Sequence, residues 1–94
     1  MDYDQYRSEI DRAAATTGGE VVSLAGGYYG VQLMVDGARL ILALDLDSDQ
    51  GWVTWAENRD GERCCDGAEE DLGPCPPQDL RARAIAAIAR HVHA

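Results

Sequence analysis

Three carboxylates at alternate positions, Asp45-Leu46-Asp47-Ser48-Asp49, have the spacing with which a calcium loop gathers acidic side chains on one ion. The following residues break that pattern. Glycine falls at the seventh position rather than the sixth, the twelfth is Ala56, and Glu57 stands one place late. Residues 38–46 read as a strand, so no helix leads into the loop. Asp and Ser favour turns through hydrogen bonds to their own backbone. The stretch therefore reads as a hairpin loop with a negatively charged tip, and no metal is assigned to it.

Cysteine and histidine are the other candidates. Cys64, Cys65, Cys75, His91 and His93 include the ligand types of a zinc site, but their spacing does not. Adjacent cysteines on a strand point to opposite faces, and histidines two apart on a helix do not share a side. No Cys-x-x-Cys pair is present. Cys75 is within loop reach of Cys64 or Cys65 for a disulfide, although reduced thiols are the cytosolic default.

A Cys–His nucleophile pair lacks any oxyanion or elbow motif. Both histidines also sit within four residues of the end of this sequence, where chain ends fray. Glu69-Glu70-Asp71 falls in a stretch read as loop rather than cleft. Gly26-Gly27-Tyr28-Tyr29-Gly30 joins two strands, whereas a phosphate loop opens a helix. The expectation is a protein without catalytic residues, metal or cofactor.

The elements that position these residues are organised around one hairpin. Asp36-Gly37 lies between two alternating apolar runs, the strongest short-range signal for a two-residue type I′ turn. Such a turn sets Val35 opposite Ala38, Leu33 opposite Leu40 and Val31 opposite Leu42. These residues, with Tyr29, Leu44 and Leu46, then share one uncharged face, the floor of the core. The opposite face carries Tyr28, Gln32, Met34, Arg39, Ile41, Ala43 and Asp45.

Upstream, residues 2–17 place Tyr3, Tyr6, Ile10, Ala13, Ala14 and Thr17 on one helical stripe. Asp2 or Asp4 serves its start and Gly18-Gly19 its stop. Strands follow at about 20–25, 28–35, 38–46 and 52–57, with a fifth expected at 62–65. The third is apolar on almost both faces, which suits a central strand. A four-residue loop after Leu46 puts Val53 and Trp55 in the core and leaves Trp52 outside, and is the favoured length; a five-residue loop swaps them, since a one-residue slip inverts every side chain. Residues 66–76 read as an acidic loop. A helix over 77–92 opens with Pro77 and Asp79 and turns Leu80, Ala84, Ile85, Ala87, Ile88 and Val92 inward. The fold class is α+β: an N-terminal helix, a four- to five-stranded antiparallel meander and a C-terminal helix, with both helices on one sheet face.

Charge narrows the function. The 94 residues suit one domain with one modest core. Seventeen acidic residues against eight basic ones, all arginine, give a net charge of −9. That charge repels nucleic acid and anionic lipid and favours a basic protein partner. No basic-then-apolar leader and no apolar run of ~18 residues is present, so a cytoplasmic protein is expected.

The leading expectation is a small acidic inhibitor or antagonist that docks by charge mimicry on a nucleic-acid-handling protein. Its contact residues are Asp45, Asp47, Asp49, Glu69, Glu70 and Asp71, with Tyr28, Met34, Ile41 and Trp52 supplying the apolar part. Anti-defence antagonists share this general profile. The alternatives are an immunity-type or accessory protein that neutralises one specific partner, or a homodimer formed through the outer sheet face.

Overall fold

The computed structural model describes residues 2–35, 37–44, 51–57 and 69–89. Helix α1, Tyr3–Thr17, begins on a capping box: the Asp2 carboxylate accepts from the Gln5 N–H at 2.8 Å, and the Gln5 side chain accepts from the Asp2 N–H at 3.2 Å. It ends where Gly18 turns left-handed at φ 78° and donates to the Ala14 carbonyl. Its stripe buries Tyr6, Ile10, Ala13, Ala14 and Thr17. Tyr3 remains at the rim, where its hydroxyl donates to the Gly27 carbonyl.

Strand β1, Glu20–Ser23, leads through a short 3-10 turn, Ala25–Gly27, into β2, Tyr29–Val35, and β3, Ala38–Leu44. The expected hairpin register holds: Val35 faces Ala38, Leu33 faces Leu40 and Val31 faces Leu42. Gly37 has φ 82°, the left-handed backbone that this turn needs. Strands β4, Trp52–Glu57, and β5, Glu70–Gly73, complete an open antiparallel sheet in the order β1-β2-β3-β4-β5. Helix α2, Pro77–Ala89, returns beneath it. Val31, Leu33, Leu40, Leu42, Leu44 and Trp52 from the sheet meet α1 and the buried Leu80 and Ala84 of α2 in one core. Both helices thus cover one face, as the charge-free hairpin surface requires. Arg81 ties them together by donating to the Thr17 carbonyl at the end of α1.

Three expectations are corrected. The β3–β4 register is one residue from the expected one: Leu44 faces Trp52 and Ile41 faces Trp55. Trp52 therefore lies in the core, 4 % exposed, and Trp55 lies on the outer face. Thr54 makes this possible. It shares the core face and is fully buried, but its hydroxyl donates to the Ile41 carbonyl at 2.8 Å, so the buried hydroxyl is paired. The Trp55 indole N–H likewise finds the Glu57 carboxylate at 2.9 Å.

Second, Ile41 is on the outer face but only 2 % exposed, so it offers no contact surface. Leu24 reaches over Gly30 towards it: a Cβ on Gly30 would stand 3.1 Å from a Leu24 methyl and 3.4 Å from an Ile41 methyl.

Third, the acidic stretch expected as loop contains β5. Thr54 faces Glu70 and Val53 faces Asp71, with a register irregularity between Trp52 and Val53. The Asp71 carboxylate accepts from the Gly73 N–H at 3.0 Å, and Leu72 packs on the core. The strand expected at 62–65 lies outside the described residues, as do Asp45, Asp47, Asp49, Cys64, Cys65, His91, Val92 and His93.

Candidate functional site

Tyr6 shapes the end of the sheet where β2 begins. The Leu24 N–H donates to the Tyr28 carbonyl at 2.8 Å, so the backbone groups of even-numbered residues in β2 point to β1. Those of odd-numbered residues, Tyr29 included, point towards β3. The next β2–β3 pair would join Tyr29 to Leu44. The Tyr6 hydroxyl is there instead. It donates to the Tyr29 carbonyl at 2.8 Å and accepts from the Tyr29 N–H at 3.0 Å, and the described pairing stops at Gly30 opposite Ala43. A side chain from α1 thus replaces one rung of the ladder. Burial pushes the Tyr6 hydroxyl above the usual tyrosine value, while the bond to Tyr29 pulls it the other way. It stays neutral at physiological pH.

This end of the sheet opens into a cleft of about 360 Å³ that takes residues from both faces. Its base is Tyr6, Leu44 and Trp55, all buried, and its walls are the half-buried Leu24, Ala43 and Val53. Its mouth is exposed and formed by Ala25, Tyr28 and Glu69. The Tyr28 ring meets Tyr6 edge-on, with centroids 6.1 Å apart. Nearby, the Arg7 guanidinium lies 4.0 Å from the centre of the Tyr29 ring and 3.8 Å from the Asp11 carboxylate. A volume in the range of ligand pockets (~300–1,000 Å³) with apolar walls and few polar groups suits a side chain or small ligand with an apolar body.

Of the residues expected to bind a partner, the fold brings Tyr28 and Glu69 together at the cleft mouth. Asp71 is exposed two residues farther along and faces the outward Val53. Glu70, opposite Thr54, is half-buried. Met34 is 55 % exposed but lies at the far end of the outer face, opposite Arg39, which in turn faces Glu57. Ile41 and Trp52 are withdrawn into the protein. Sequence reasoning missed Tyr6, Leu24, Ala25, Ala43, Val53 and Trp55. Only the alternative loop length pointed to Trp55, and no local pattern marks Tyr6 as anything but a core residue.

Cys75 is a half-buried free thiol that donates to the Pro76 carbonyl at 3.5 Å. Burial raises its pKa, with the nearby Arg83 opposing that effect and Asp79 adding to it, so the unreactive protonated form prevails. Among the described residues, no group of three His, Cys, Asp or Glu side chains is placed to hold a metal ion. No described helix is long and apolar enough to cross a membrane. No protein-family model, curated protein or solved structure matches this chain.

Proposed function

We propose that this chain is a small acidic protein-binding module that docks on the basic surface of a nucleic-acid-handling protein and antagonises it. Its carboxylates would occupy positions meant for phosphates, and it would do no chemistry of its own. The observation carrying the reading is the outer sheet face of a chain with net charge −9. There an aromatic cleft, with Tyr28 and Glu69 at its mouth, opens beside the exposed Asp71. An aromatic anchor set among charges is what interface hot spots use, and the summed field accelerates encounter with a cation-rich surface. Exposed Met34, opposite Arg39, is a separate apolar point at the other end of the same face. The reading sets this encounter in the cytoplasm.

A pull-down from host lysate with the purified protein, washed at low and then high salt, tests it. Recovery of a basic nucleic-acid-binding protein that high salt releases is the expected result. Recovery of the chain alone, as a dimer in solution unaffected by salt, would overturn the reading in favour of a self-associating domain.

A further inference from the structure

We infer that the cleft at the split end of the sheet receives an arginine side chain of the basic partner, its guanidinium stacked on Tyr28 and paired with Glu69. The inference rests on the docking reading above and adds to it the point of anchorage.

Tyr28 is 44 % exposed and its ring forms one side of the mouth, while Glu69 stands exposed at the same opening. Aromatic faces attract cations, and arginine more often than lysine because its flat guanidinium stacks on a ring while its N–H groups fork to a carboxylate. Glu69 also interacts within the chain, which does not exhaust it, since a carboxylate has about four acceptor positions. Below the mouth, Leu24, Ala43 and Val53 present apolar walls on which the methylenes of a long cationic side chain can lie. The molecule already contains this arrangement once: Arg7 lies over the Tyr29 ring with Asp11 beside it. Net charge selects the sign of the occupant.

The test is a titration of the full chain at low salt with a short arginine-containing peptide and its citrulline counterpart, followed by heteronuclear NMR. The arginine peptide is expected to shift the Tyr28, Ala43 and Val53 amides and the Trp55 indole N–H; the uncharged citrulline peptide should not. Ala43→Leu fills the cleft and should weaken binding about tenfold or more. Glu69→Gln removes one exposed charge and should weaken it about two- to fivefold. Tyr28→Ala alters a partly exposed ring and serves as a second cleft variant if Ala43→Leu does not fold. Shifts scattered over the acidic surface, with affinity unchanged in both cleft variants, would overturn the anchor and leave charge-driven docking standing. Confined shifts in a protein that captures no basic partner would support the cleft and overturn the docking reading instead.

Discussion

Replacing Tyr6 by Phe isolates one atom that the fold uses in place of a β-ladder rung. The ring is 1 % exposed and stays in the core, so the substitution removes only the hydroxyl and its bonds of 2.8 and 3.0 Å to Tyr29. A neutral hydrogen bond contributes ~0.5–1.5 kcal/mol net, and abandoned buried partners raise the loss. Two such bonds to one residue put the loss at about 2 kcal/mol, or a fall in Tm of roughly 8–16 °C for a domain near this size. Urea unfolding followed by tryptophan emission measures it, and the m-value should not change because the exposed area does not. Hydrogen exchange at the Tyr29 amide should accelerate in the variant. A stability within ~0.5 kcal/mol of the parent, with Tyr29 equally protected, would refute the claim that Tyr6 holds this end of the sheet.

The same hydroxyl sets an alkaline limit. Its folded pKa lies above the unfolded value of 10.0, so the stability of its neutral form is complete below that value and is lost as pH rises through the folded pKa. Unfolding midpoints measured across this range should fall in the parent, and Tyr6→Phe should flatten that part of the profile. Trp52→Ala should cost ~3–5 kcal/mol because Trp52 is core; a loss under ~1 kcal/mol in chemical denaturation would return Trp52 to the outer face. Gly51→Ala should prevent folding or cost several kcal/mol. Gly51 has φ 73°, and a Cβ added there would collide with the Gly73 carbonyl and the Pro74 nitrogen; a well-dispersed NMR spectrum with parental stability would contradict that packing.

The hairpin and both helices are legible in the sequence because each is specified locally. Asp36-Gly37 sets a register that the pairs from Val35–Ala38 to Val31–Leu42 obey, and the stripe from Tyr6 to Thr17 is the stripe that α1 buries. Strand β4 is not legible in the same way. Its two candidate faces differ by Thr54, and alternation treats a threonine as polar, whereas here its hydroxyl bonds to the Ile41 backbone and the residue is buried. Strand β5 escapes because Glu70–Gly73 carries turn-like, acidic residues. At a sheet edge the backbone pairing to β4 suffices, and only Leu72 packs on the core. The cleft depends on an α1 hydroxyl reaching a backbone 23 residues away, a contact that no short-range pattern encodes. Of the site, Tyr28 and Glu69 were visible as exposed aromatic and acid, but not the base on which they stand.

The most direct test of antagonism by charge mimicry is competition on the recovered basic partner. The partner is bound to a labelled nucleic-acid duplex at low salt, and this protein is titrated in. Displacement of the duplex, with an affinity for the partner that falls steeply as salt rises, is the predicted result. A ternary complex in which duplex and protein bind together, with an affinity indifferent to salt, would contradict it.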